Sequence, residues 1–185
     1  YFYVMFIHRN SCPICNSSNN KNICSITLDD PIIVKYLQKV YPLLPSLEGS
    51  FKLDRCVECT FIWQTDIFNE EYMHKFYDQW IPIENSITKK NSSLVLDKYC
   101  REIRYIRNKV SSEGVVLDYG MGAGTWCLMA KAYGLSITGL ELSKSRNAYA
   151  KKNGVKVISD LQELNDNSIS FINMEQVLEH LSDPL

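Results

Sequence analysis

From residue 114 onward, apolar positions fall into short β-branched runs separated by helix-period segments. Strands are expected at 115–119, 136–140, 155–159 and 169–174. Helices are expected at 125–133 and 144–153, and another begins at 175–181. Strands alternating with helices of about ten residues indicate βαβ units, hence an α/β fold with about four parallel strands. Upstream, residues 94–110 space Leu94, Leu96, Ile103 and Ile106 as an amphipathic helix would. A helix opening at Asn69 carries Tyr72, Met73, Phe76, Tyr77 and Trp80, and a polar linker over 86–93 separates the two. In the first 66 residues the pattern is broken. A seven-residue apolar opening reads as a strand, 16–22 as an Asn/Ser loop, 31–40 as a helix, and 49–63 as a hairpin with Cys56-Val-Glu-Cys59 at its turn. This gives three parts: a small cysteine-bearing module (1–66), a helical connector (67–110) and the sheet-forming part (111–185).

Composition narrows the class. With 45% hydrophobic and 22% charged residues the chain is a globular protein and not a disordered one. A net charge of −1 provides no electrostatic case for nucleic acid as a partner. The opening segment lacks a basic flank and a small-residue cleavage site, and no apolar run approaches the ~20 residues a membrane span needs. A cytoplasmic protein is expected. The chain starts with Tyr1 and only 67 residues follow Asp118, so the sequence is expected to be a fragment. It would lack part of its sheet and much of a substrate pocket, and would be inactive or marginally folded alone.

The seven cysteines are unevenly placed: Cys12/Cys15 and Cys56/Cys59 form two C-x-x-C pairs, 40 residues apart, while Cys24, Cys100 and Cys127 stand alone. Paired spacing without a secretion signal favours metal over disulfides. Four thiolates on two tight turns suit a closed tetrahedral zinc site, which leaves no open position for chemistry. The expected role is a structural zinc ribbon whose metal substitutes for the core that ~60 residues can barely build. A redox dithiol is the competing reading. Cys100 and Cys127 fall within apolar helical patterns and read as core.

The most informative stretch is VVLDYGMGAGTW, residues 115–126. A buried strand ends in Asp118 and turns into a helix through Gly120, Gly122 and Gly124. That makes a backbone shelf beside a helix N-terminus. Dinucleotide binding wants Gly-x-Gly-x-x-Gly, but here the third glycine comes one residue early and Thr125 stands in its place. Asp118 would repel a pyrophosphate but suits a cationic ligand. Both differences point away from NAD and towards S-adenosylmethionine, which carries a sulfonium and an ammonium but no phosphate. Glu141 follows Asp118 by 23 residues, close to the ~20-residue offset at which a carboxylate reaches a ribose diol. Asp160, after the third strand, is placed to meet the adenine amino group. Its alternative is a solvated loop carboxylate.

Taken together, VLDYGMGAG, GLELS and INMEQVLEHLSDP resemble the class I S-adenosylmethionine-dependent methyltransferases. The branch with a Cys-x-x-Cys…Cys-x-x-Cys module ahead of the methyltransferase domain is the most similar. The resemblance runs in order from about residue 12 to 185. It implies a Rossmann-like sheet, ordered 3-2-1-4-5-7-6 in the family, of which four strands are readable here. It implies that Asp118, Gly120, Gly122 and Gly124 line the methionine end of the cofactor, that Glu141 holds the ribose and Asp160 the adenine side, and that Glu175 and Gln176 border the site. Ser170 stands where such proteins often carry an aspartate. Glu179 and His180 are candidates for general base or substrate ligand, with packing or helix capping as the alternative for His180. Tyr77 and Trp80 are candidates for substrate contact, against inter-domain packing. The expected acceptor is a small molecule such as a sugar or biosynthetic intermediate. The rivals are a non-catalytic zinc-ribbon protein that recruits a partner, and an NAD-dependent oxidoreductase.

Overall fold

The computed structural model describes residues 5–181 and divides into two compact units. One comprises the residues up to Trp80 together with those from Leu178 on; the other is Ile81–Val177. The boundary falls inside the segment expected as a connector. The first residues of the expected opening strand (1–4) and the Ser-Asp-Pro of the terminal motif (182–184) lie outside the described residues.

The first unit is built on antiparallel pairs. Strand β1 (Phe6–His8) pairs with β5 (Asp66–Phe68), and β2 (Asn20–Thr27), β3 (Ser50–Cys56) and β4 (Ile62–Gln64) form a sheet in that order. The hairpin of β3 and β4 turns at Cys56–Cys59 as expected. Strand β2 departs from expectation, because it starts within the Asn/Ser stretch read as a loop. Its polar sequence has no clean alternation, yet it pairs with β3 along its length, with a bulge between Asn22 and Cys24. Cross-strand pairing outweighs local preference there. Helix α1 (Pro31–Val40) starts as its sequence dictates: Pro31 occupies the first turn, and the Asp30 side chain accepts from the Ile32 N–H at 2.8 Å. Helix α2 (Glu70–Lys75) is capped by Asn69 and widens into a π turn over Phe76–Trp80. The widened turn gathers Phe68, Tyr72, Phe76 and Trp80 into one aromatic cluster, with ring centroids 5.7–6.4 Å apart. Packing of this kind accounts for Trp80.

The second unit opens with α3 (Ile83–Lys90) and α4 (Ser93–Arg107). The polar linker expected at 86–93 is mostly helix. Ile83 and Ile87 lie on one helical face, and buried Arg146 ties the start of α3 by donating to the Ile81 carbonyl (3.2 Å) and Ser86 Oγ (3.4 Å). Strands β6 (Val115–Tyr119), β7 (Ser136–Leu140), β8 (Lys156–Ile158) and β9 (Phe171–Met174) are all parallel, ordered β8-β7-β6-β9. Helices α5 (Thr125–Ala132) and α6 (Lys144–Lys152) supply the crossovers. One core cluster joins Tyr99, Ile103 and Ile106 of α4 to Val116, Trp126, Ala130 and Leu135. The expected partial α/β sheet is therefore present, with the strand order 3-2-1-4. Among the described residues β9 is paired on one side only, and Ile172 and Met174 are exposed. The helix expected from 175 is reduced to a single 3₁₀ turn, Leu178–His180. Gln176 adopts a left-handed backbone (φ 58°), which breaks a right-handed helix. No helix among the described residues is long and apolar enough to cross a membrane.

Candidate functional site

Asp118 sits on the central strand β6, in register with Gly139 of β7 on one side and Asn173 of β9 on the other. It is 4% exposed. Its carboxylate accepts from Asn173 Nδ2 (2.8 Å) and from the Cys127 thiol of α5 (3.2 Å). Burial raises its pKa to about 6, although both hydrogen bonds and Lys90 pull it down. A buried carboxylate with neutral or weak donors is a charge that a bound cation would relieve.

The glycines after it have different work. The turn is stitched to the end of β7, with the Gly120 and Met121 N–H groups both donating to the Leu140 carbonyl. At Gly122 (φ +60°) a Cβ would meet nothing within 4 Å, so its face opens onto free space. Gly124 (φ +80°) would instead place a Cβ 3.1 Å from the Ala150 Cβ and 3.2 Å from Val155 Cγ2, so it lets α5 start hard against α6 and the residue leading into β8. Gly122 is the ligand-facing candidate; Gly124 is explained by packing.

Glu141, just past β7, accepts from the Gly122 N–H (2.9 Å) and the Ser143 N–H (2.7 Å), one bond to each oxygen. Burial raises its pKa against those bonds and the nearby Arg146. The structure thus brings Asp118, Gly122 and Glu141 to the C-terminal edge of the sheet, where strand order reverses between β6 and β9. Open α/β sheets bind ligands at that switch point. Asp160 is an exposed cap: its side chain accepts from the Gln162 N–H (2.9 Å), and Glu163 reaches back to the Asp160 N–H in a capping box.

Glu175 follows β9 directly. Its two oxygens face two ammonium groups, Lys98 at Oε1 and Lys90 at Oε2 (3.4 Å). Burial pushes the Glu175 pKa up, but the lysines outweigh it and hold the carboxylate below its ordinary value. Sequence reasoning missed both lysines, since Lys90 lay in the presumed linker and Lys98 in an amphipathic helix. It also missed Asn173, although that residue stands within the INMEQ motif, and it read Cys127 as core without its contact to Asp118. Only pairing and helix packing bring them to Asp118. Glu179 and His180 belong to the first unit, where the His180 ring stands edge-on to Tyr77 at 6.1 Å and burial lowers its pKa.

In the first unit the four paired cysteines converge, all sulfurs within 4.8 Å of one another. Cys12 and Cys59 are 3.5 Å apart, as are Cys15 and Cys56. A tetrahedron of thiolates at ~2.3 Å from zinc has edges of about 3.8 Å, so the donor set fits. The Cys59 N–H points at Cys56 Sγ (3.4 Å), and such backbone donors lower the Cys56 pKa to about 7, favouring the thiolate a metal needs.

A family model described as a methyltransferase domain matches residues 93–185. The chain belongs to that methyltransferase family. The match starts at the first residue of α4 and takes in the whole sheet. Among solved structures, the methyltransferase chain is similar to an S-adenosylmethionine-dependent methyltransferase from Mesorhizobium loti (26% identity over 43% of this chain and 41% of that one, TM-score 0.35). It is also similar to the [4+2]-cyclase SpnF (19% identity, 64% and 53%, TM-score 0.49) and to geranyl diphosphate C-methyltransferase from Streptomyces coelicolor A3(2) (12% identity, 45% and 41%, TM-score 0.32). The chain spans about half the length of these structures or less. No curated protein matches it.

Proposed function

We propose that this methyltransferase chain binds S-adenosylmethionine at the C-terminal edge of its sheet and serves methyl transfer to a small-molecule acceptor, a sugar or biosynthetic intermediate. The observation that carries the reading is the buried, cation-seeking Asp118 beside the open face of Gly122, with Glu141 at the end of the neighbouring strand. Asp118 would face the ammonium and sulfonium end, the Gly122 backbone would underlie the ligand, and Glu141 would exchange a backbone contact for the ribose hydroxyls. Gly120 and Gly124 shape the turn, and Gln176 borders the site. We keep Asp160 on the adenine side. The bound cofactor would supply an electrophilic methyl group; the protein's part is to orient the reactants and exclude water. Glu179 and His180 are proposed as the acceptor's base or ligand. The small-molecule acceptor rests on the near-neutral charge balance, which offers nothing to a nucleic-acid backbone.

Titration calorimetry with S-adenosylmethionine and with NADH tests the reading. Binding of the former, lost in Asp118→Asn, is the expected result, and binding of NADH alone overturns it. We also propose that Cys12, Cys15, Cys56 and Cys59 hold a structural zinc ion, as their mutual distances support. The expected metal content is about one zinc per chain, and metal-free protein of unchanged stability sinks the assignment. Thiolate zinc chemistry suits the reducing cytoplasm, where we place the protein.

A further inference from the structure

The cofactor edge of the second unit carries a second charged group that the reading above does not use. Lys90, near the end of α3, and Lys98, in α4, converge on Glu175, so that each oxygen of one carboxylate faces one ammonium. Lys98 also reaches Glu102 at 3.5 Å, and Lys90 lies over the Tyr99 ring, 5.6 Å from its centre. Glu175 is two residues beyond Asn173, which holds Asp118. At strand rise that is about 7 Å of chain. Asp118 and Lys90 are also close enough to influence one another electrostatically.

A buried anion thus stands near a pair of cations already arranged around a carboxylate. An α-amino acid head group carries the complementary pair, an ammonium and a carboxylate on one carbon. We infer that Lys90 and Lys98 recognise the α-carboxylate of the ligand, and that Glu175 is an internal stand-in that holds these lysines until a ligand carboxylate displaces it. This rests on the S-adenosylmethionine reading and extends it. The exchange is physically easy. The side chains of Lys90, Lys98 and Glu175 retain 42%, 45% and 33% of their exposure, and ion pairs open to solvent contribute little stability. A ligand carboxylate would form the same two charge-assisted bonds and leave Glu175 free to turn to water. On this view Glu175 borders the site as a competitor and not as a contact.

The test compares two probes by calorimetry: S-adenosylhomocysteine, and 5′-deoxy-5′-(3-aminopropylthio)adenosine, which is the same molecule without its carboxylate. Lys90→Met and Lys98→Met should each weaken S-adenosylhomocysteine about tenfold or more, the scale of a hydrogen bond to a charged group. Each should leave the decarboxylated probe within about twofold. Glu175→Gln should tighten S-adenosylhomocysteine several-fold without tightening the decarboxylated probe. Thermal melts of each variant separate misfolding from lost recognition. Equal losses for both probes, or weaker S-adenosylhomocysteine binding in Glu175→Gln, overturn the stand-in. If the unaltered protein binds neither probe, the cofactor reading itself fails.

Discussion

The two units are held together by different physics. Among the described residues, the buried apolar side chains of the first unit are Cys12, Cys56, Trp63 and Ile67, and two of those four belong to the four-cysteine cluster. The second unit has fifteen, from Tyr99 to Ile158. Helix α1 of the first unit buries no residue, and its Ile32 is 78% exposed. Helix α4 of the second buries Tyr99, Ile103 and Ile106. The cysteine module therefore depends on the cluster that its strands assemble, whereas the sheet unit is stabilised by its own core and can hold an unfavourable charge at Asp118.

Metal removal should divide the units most sharply. Structural zinc binding is worth about 10–16 kcal/mol in small domains, more than four buried residues can replace. Replacing Cys56 and Cys59 by Ser, or chelating the metal, should abolish amide-exchange protection in β2–β4 and leave α4 and β6 protected. Uniform protection in both units would erase the contrast. The Trp63 indole packs with Cys12 and Cys56, so its fluorescence should report the same event.

The converse change is Ile103→Ala, which empties a fully buried position in the α4 core. It should destabilise the second unit by about 2–5 kcal/mol in urea melts and leave zinc content unchanged. A smaller, pH-dependent effect is expected at Asp118. Its folded pKa, about 6, lies above the ordinary aspartate value of 3.8. Protonated Asp118 is therefore tolerated at low pH, and stability is lost as pH rises through about 6. Asp118→Asn should stabilise the ligand-free protein by about 1–3 kcal/mol at pH 8, with the gain vanishing by about pH 4. The same variant should lose cofactor binding, which in the unaltered protein should weaken as pH falls below about 6. A pH-independent stability difference would refute the buried charge.

Gly122→Ala should cost about 1 kcal/mol of stability through its left-handed backbone. Its loss of cofactor binding should be disproportionate, because the new methyl enters the open face. Stability and binding falling in parallel would make Gly122 a folding residue like Gly124. At the bottom of the scale, Ile32→Ser on the exposed face of α1 should shift the melt by less than about 0.5 kcal/mol, and a large loss there would reveal a core the first unit does not show.

Much of this was legible before the fold. The strand–glycine–helix punctuation over 115–126, the second acidic position at 141 and the run of about four parallel strands followed from periodicity and turn chemistry, while the order of those strands was implied by the family resemblance. The cysteine pairs were legible as well. Strand β2 was not, because NKNICSIT has no alternation and becomes a strand only against β3. Helix α3 was hidden by its polar residues, and its support comes from Arg146, sixty residues or more away. The helix expected after β9 failed at one residue, Gln176, whose left-handed backbone no local pattern announces.

By itself the sequence determined which residues carry charge and sulfur, which backbone positions must be glycine, and the alternation that forces a parallel sheet. Those are local properties of side-chain chemistry and dihedral freedom. Only the tertiary structure decided that Asp118 would be buried against Asn173 and Cys127, that Gly122 would open to ligand while Gly124 packed shut, and that two distant lysines would close on Glu175. Each of these depends on strand register and helix packing, which bring together residues tens of positions apart, and a periodic pattern along one chain has no term for that distance.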